Sequence, residues 1–262
     1  MRKSESLSEL VVALAEGRQT PDSLARQSLE CATQLADLNA FVTIDEEIVI
    51  AQAKAATLRR QKGKPLSPAQ TRLMETEFPK VDFGGAVAAG KNPISDMTGP
   101  VWLEIGFGGA EHLLWQAEQN PDVTLLGVEP FLNGVVKAVS GLTQEGLTNI
   151  RLHRGDARDV LKLLPDNSLE RVFVLFPDPW HKARHNKRRI INMEFLEDLH
   201  RVIKPGGIFR FGSDIIHYVD WTLTRIKRHG GFDWTATAQS EWRVRPDDWP
   251  STRYLEKAIR EG

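Results

Sequence analysis

Val101-Trp102-Leu103-Glu104-Ile105-Gly106-Phe107-Gly108-Gly109-Ala110-Glu111 decides the fold. A short, mostly apolar strand runs into a glycine turn, and a helical stretch follows to about Gln119. Glycines at such a turn let the backbone bend tightly and let a ligand approach the main chain.

Outward from this point the same rhythm repeats. Strands are expected over 101–105, 124–128, 149–152, 171–176 and 207–212, with helices over 111–119, 133–145, 157–164, 192–202 and 218–228. Alternation of this kind predicts a Rossmann-like α/β fold, a parallel sheet with helices on both faces and a ligand at the carboxyl ends of its strands. Before Pro100 the texture differs. Residues 7–60 are rich in Ala, Leu and Gln and read as helical. Thr20-Pro21-Asp22 supplies an N-cap with proline at the first helical position, and a second helix is expected over 46–60. Gly63, Pro65 and Pro68 mark a junction. The expected division is a small helical N-terminal extension over 1–63 and an α/β domain over 64–262. A short helix over 69–77 and a glycine-rich loop over 83–90 lead into the first strand.

Composition narrows the function classes. Cys31 is the only cysteine, which excludes an intrachain disulfide and a cysteine-based metal site. His181 and His185 have no partner cluster, so no metal is expected. No apolar stretch approaches the roughly 20 residues of a membrane helix, and the N-terminus lacks a signal-peptide core. A cytoplasmic protein without membrane contact is expected, and monomer and homodimer both remain open. Net charge is −1, from 34 Lys and Arg against 35 Asp and Glu. Yet Lys182, Arg184, Lys187, Arg188 and Arg189 crowd one acid-free strip between Trp180 and Ile190. One concentrated basic strip suits an anionic polymer docked at one place.

Acids stand at three successive strand ends: Glu104, Glu129 in Gly127-Val128-Glu129, and Asp156 in Gly155-Asp156-Ala157. The dinucleotide fingerprint would need a third glycine where Glu111 stands, and a carboxylate at Glu104 sits badly beside a pyrophosphate. S-adenosylmethionine brings an ammonium, a sulfonium and no phosphate, so an acidic lining suits it. Gly106 and Gly108 allow its close approach. Glu129 is placed to accept hydrogen bonds from the ribose hydroxyls, and Asp156 from the adenine amino group. The fold class is then that of a class I S-adenosylmethionine-dependent methyltransferase.

The fourth strand ends in Phe176-Pro177-Asp178-Pro179-Trp180-His181-Lys182-Ala183-Arg184-His185-Asn186-Lys187-Arg188-Arg189. Two prolines fix the backbone on either side of Asp178 and hold its carboxylate at the mouth of the cleft. Trp180 reads as a packing anchor for the loop. Lys182, Arg184 and Lys187 to Arg189 are candidate phosphate contacts.

This block, with Glu-Ile-Gly-Phe-Gly at 104–108, Gly-Val-Glu at 127–129, Ser-Asp at 213–214 and Thr252-Arg253-Tyr254, strongly resembles the tRNA (guanine-N7)-methyltransferase family. The resemblance covers about Lys64 to Gly262. It implies transfer of a methyl group from S-adenosylmethionine to N7 of a guanine in the tRNA variable loop. Glu104, Glu129, Asp156 and Asp178 then look like the cofactor set, with Asp178 also catalytic. Lys182, Asp214 and the segment Thr252, Arg253, Tyr254 with Glu256 look like the tRNA-contacting set. The family pattern places an acid directly after the aromatic; here Leu255 stands there and Glu256 follows, a shift of one residue. That departure supports the alternative reading, a catalytically weak or silent tRNA-binding homologue. The proline order around Asp178 does not match that of amino-group methylases.

Guanine N7 bears a lone pair and no proton, so its methylation needs alignment rather than a general base. A carboxylate such as Asp178 could stabilise the positive charge the base gains, or select the base through its N1 and amino group. Extracting the base from its stack costs on the order of a few kcal/mol.

Residues 7 to about 60 are similar to the opening helices of amidase-signature proteins, through Leu38-Asn39-Ala40-Phe41-Val42-Thr43 and Ala51-Gln52-Ala53-Lys54. The serine-rich core of that group is absent, and no amidase activity is expected.

Overall fold

The structure is a computed structural model, and it describes residues 14, 19–34, 45–50, 52, 53, 66–180, 183–238, 241, 244–253, 255, 256 and 260. Contacts divide the chain into two units, Met1–Pro65 and Leu66–Gly262. In the first, α1 spans Pro21–Gln34. Thr20 and Ser23 cap it reciprocally: Ser23 N–H donates to Thr20 Oγ1 at 3.1 Å and Thr20 N–H to Ser23 Oγ at 2.9 Å. Residues 46–50 and 52–53 are helical; most of the amidase-like stretch lies outside the described residues.

In the second unit, α2 (Pro68–Thr76), α3 (Phe78–Val81) and α4 (Gly84–Ala88) precede the sheet. Residues 83–90, expected as a loop, thus contain a short helix. Asp82 pairs with Leu152 and Phe83 N–H donates to its carbonyl at 3.0 Å, which ties this arm to an outer strand. Then follow β1 (Val101–Ile105), α5 (Glu111–Gln119), β2 (Thr124–Val128), α6 (Leu132–Glu145), β3 (Ile150–His153), α7 (Ala157–Leu163), β4 (Leu169–Leu175), a 3-10 turn (Ala183–Arg188), α8 (Met193–Val202), β5 (Ile203–Gly212) and α9 (Ile216–His229). β5 starts earlier than expected because Leu169 pairs with Ile203 across an irregularity that absorbs Pro205 and Gly206.

The strand order is β3-β2-β1-β4-β5, all neighbours parallel. Alternate residues of β1 serve opposite layers. Val101, Leu103 and Ile105 pack with Val160 of α7, Leu199 of α8 and Tyr218 of α9. Trp102 packs with Leu113 of α5 and Val139 of α6. Both faces of the sheet are therefore covered, and its strands read as nearly continuous apolar runs. The chain leaves β1 toward β2 and returns on the other side at β4. The carboxyl ends of β1 and β4 therefore flank the crevice where the order switches, the place where open α/β sheets bind ligands. Among the described residues no helix is long and apolar enough to cross a membrane.

Candidate active site

The glycine turn opens directly from β1, with Gly106 and Gly108 at φ of 73° and 53°. Such values suit glycine, and Gly106 N–H donates back to the Val128 carbonyl at 2.8 Å. Glu129, at the end of β2, locks the turn. Its Oε2 accepts from Gly108 N–H and its Oε1 from Phe131 N–H, both at 2.9 Å. Gly134 makes room, since a Cβ there would lie 2.6 Å from the Gly108 carbonyl and 2.9 Å from Glu129 Cγ. Burial pushes the Glu129 carboxyl above its ordinary range; its two backbone hydrogen bonds pull it back, and the charge of Asp178 adds to the upward push. Glu129 and Asp178 thus share one electrostatic field.

Asp178 is exposed at the end of β4. The residues bracketing its two prolines, Phe176 and Trp180, adopt left-handed backbone with φ of 49° and 43°. For bulky residues this is strain of about 1–3 kcal/mol each, sustained only where surroundings over-determine it. Phe176 N–H donates to the Gly212 carbonyl at 2.7 Å, and Arg189 Nε donates to the Pro179 carbonyl at 2.8 Å. Arg189 is only 4% exposed, its guanidinium held 4.8 Å from the Tyr218 ring and 4.9 Å from the Trp221 ring. It braces the loop, which corrects its expected phosphate role. Burial beneath it pushes the Tyr218 hydroxyl up to about 12. Lys187 and Arg188 are exposed, and Arg188 stacks on Trp180 at 4.9 Å. A cleft of about 390 Å³, lined in part by Arg189, His217, Trp221 and Arg225, runs between this loop and α9. Lys182 lies outside the described residues, as do the side chains of Arg184 and His185.

The remaining acids sit differently. Asp156 caps α7, accepting from Arg158 N–H at 2.9 Å and from Arg158 Nη2 at 2.6 Å; the hydrogen bond from the Arg158 side chain holds its carboxyl below the usual range. Its oxygens are therefore engaged by Arg158. Glu104 is 2% exposed and its Oε2 lies 2.7 Å from His112 Nδ1, a buried pair beneath the glycine turn. Asp214 is exposed in the turn after β5.

The C-terminal segment reaches across to the crevice. Asp248 receives Arg210 through two bonds of 2.8 and 2.9 Å, and that pairing holds its carboxyl low. Trp249 lies against Gly212, where a Cβ would come within 2.5 Å of the indole. Thr252 is buried; its Oγ1 accepts from Leu255 N–H at 3.2 Å and its carbonyl from Glu256 N–H at 2.9 Å, closing a helical turn. That turn swings Glu256 back to Ser251 Oγ at 3.0 Å. Arg253 goes to the glycine turn instead: its N–H donates to Glu111 Oε2 at 2.9 Å, its Nε pairs with the same carboxylate, and its guanidinium covers Gly109. Tyr254 lies outside the described residues.

Sequence reasoning missed His112, Gln116, Glu111, Arg210 and Asp248. The four-residue spacing of His112 and Gln116 on α5 was the one available signal. Of the expected set, the structure brings Glu129 together with Gly108 and takes Arg253 to the glycine turn. It keeps Asp156 with Arg158 and Glu104 beneath.

Residues 98–262 match the family described as "Putative methyltransferase". The tRNA (guanine-N(7)-)-methyltransferase of Roseobacter denitrificans is 46% identical over 211 residues, covering 78% of this chain and 90% of that protein. That of Ruegeria sp. is 47% identical, covering 78% and 82%. That of Agrobacterium fabrum is 44% identical over 214 residues, covering 80% and 92%.

Proposed function

This chain belongs to the tRNA (guanine-N(7)-)-methyltransferase family, and on that premise we propose how its residues divide the work. It is an S-adenosylmethionine-dependent enzyme that methylates N7 of a guanine in the tRNA variable loop. The observation that carries the assignment is Asp178, fixed between two prolines and two left-handed residues at the switch point, within the field of Glu129.

The residues fit the cofactor. Glu129 spends one lone pair of each oxygen on backbone N–H groups and keeps others for the ribose hydroxyls. Gly106 and Gly108 leave the main chain open to close approach. Asp156 takes the adenine amino group by exchanging it for Arg158. Glu104 supports the turn from beneath. When bound, the cofactor supplies an electrophilic methyl group. The protein aligns guanine N7 with it, and Asp178 opposes the positive charge that the base acquires or holds its N1 and amino edge. Lys182, Lys187 and Arg188 meet phosphates. Asp214, Thr252, Tyr254 and Glu256 are assigned to the substrate. The division into a helical extension over 1–63 and a methyltransferase domain over 64–262, and residence in the cytoplasm, belong to the same reading.

The test is incubation of the full chain with labelled S-adenosylmethionine and unmodified tRNA, followed by digestion to nucleosides. Label in 7-methylguanosine, lost in Asp178→Ala, is the expected result. Cofactor binding without label in that nucleoside would overturn this reading in favour of a silent tRNA-binding protein.

A further inference from the structure

A buried chain of polar groups joins the acid under the cofactor turn to the C-terminal segment. Glu104, His112 and Gln116 are 2%, 3% and 1% exposed. Gln116 Nε2 lies 2.8 Å from the Asp248 carbonyl and 3.1 Å from His112 Nε2, and His112 Nδ1 lies 2.7 Å from Glu104 Oε2. The proton positions follow by necessity. A main-chain carbonyl only accepts, so the Gln116 NH2 faces Asp248; the 3.3 Å contact from Asn120 Nδ2 to Gln116 Oε1 agrees. The second hydrogen of that NH2 then points at His112 Nε2, which must accept. His112 is therefore the Nδ1–H tautomer, and it donates to the carboxylate.

Both ends of this chain matter to the reaction. Glu104 leads into Gly106. Asp248 precedes Trp249, whose ring stands 6.0 Å from that of His112, and Thr252, whose turn presents Glu256. A second, separate tie runs in parallel: Arg253 holds Glu111, at the start of the helix that carries His112 and Gln116. Buried polar groups left half satisfied are costly, so a network of this kind favours one arrangement of all its members.

We propose that His112 and Gln116 are positioning residues, which make seating of the cofactor and docking of the C-terminal substrate segment one linked event. Cofactor bound against the glycine turn steadies Glu104, and through His112 and Gln116 it fixes the main chain at Asp248. The RNA-facing turn at Thr252 is then already formed when tRNA arrives. By linkage, tRNA on that segment tightens the hold on the cofactor. This proposal rests on the reading of the site given above.

The test uses Gln116→Met, which keeps the volume and removes both donors. Hydrogen exchange across residues 247–253 is measured in the full chain with and without S-adenosylmethionine, beside steady-state methylation of tRNA. In the parent protein the cofactor is expected to slow exchange in this segment. In Gln116→Met the cofactor still binds but the slowing is lost, and KM for tRNA rises about ten-fold while kcat changes far less. Slowing retained in the variant, or a lowered melting temperature with both KM values unchanged, overturns the proposal and leaves the chain merely structural. No slowing in the parent overturns it too. A parent protein that forms no 7-methylguanosine yet shows the slowing overturns the reading of the substrate and not the linkage. Should Gln116→Met fail to fold, Gln116→Asn, one methylene too short to span both partners, carries the same expectations.

Discussion

Arg189 Nε and the Pro179 carbonyl oxygen stand 2.8 Å apart, so an arginine from the basic strip is a strut for the turn that carries Asp178. The same guanidinium reaches the His217 carbonyl at 3.4 Å. Arg189→Ala leaves both carbonyls without a side-chain donor and opens a gap beside Tyr218 and Trp221. The expected loss is about 1–3 kcal/mol of stability, read by denaturant melts, with methyl transfer falling further than the unfolded fraction explains. Lys187→Ala, by contrast, is expected to leave stability unchanged. It lowers the slope of log affinity for tRNA against log salt by about one. Equal salt slopes for Lys187→Ala and the parent would remove that lysine from the RNA track.

Two glycines near the cofactor turn are expected to respond in opposite ways. A Cβ at Gly134 runs into the Gly108 carbonyl and the Glu129 side chain. Since backbone must move, Gly134→Ala is expected to lose about 1–3 kcal/mol of stability and most cofactor affinity. At Gly109 the nearest atom is the far end of the Arg253 side chain, which can swing away. Gly109→Ala is expected to fold normally and to raise KM for tRNA by freeing Arg253. Calorimetric titration with S-adenosylmethionine, beside tRNA kinetics, separates the two outcomes.

The raised carboxyl of Glu129 has a defined pH signature. Between the ordinary glutamate range and its raised value, the folded protein holds a proton that the unfolded chain has released. Stability then falls as pH rises through that window, and the penalty is complete above it. In Glu129→Gln this component is expected to vanish from the pH profile of thermal melting. Desolvation is the main cause, so Asp178→Asn, which removes only the neighbouring charge, moves the Glu129 titration down without restoring its ordinary value. Carboxyl NMR would read this directly; no movement would mean the two acids do not feel each other.

The fold was legible because its signals are local. Strands buried on both faces leave nearly continuous apolar runs such as Val101–Ile105, broken only by Glu104, and a glycine turn follows that strand directly. The Asp178 turn was legible for a similar reason, since proline fixes the backbone wherever it stands. What could not be read was set by partners far along the chain. Arg189 sits in a run of charge that looks solvated, and only Tyr218 and Trp221 make it a buried strut. Asp156 has the position of an adenine acceptor, but it also begins a helix, and in the structure it caps that helix and pairs with Arg158. Glu104 has a strand-end address that says nothing of whether its carboxylate faces the crevice or His112. Asp248 and Arg253 lie in stretches without periodicity, so their reach to Arg210 and Glu111 left no trace in pattern.

Because Asp248, Trp249 and Arg253 close onto β5, α5 and the glycine turn, the site is finished by a segment that follows the last strand and the last sheet helix, and not by the sheet itself. The sheet and its helices alone lack the lock on Arg210 and the cover over Gly109, which this returning segment supplies.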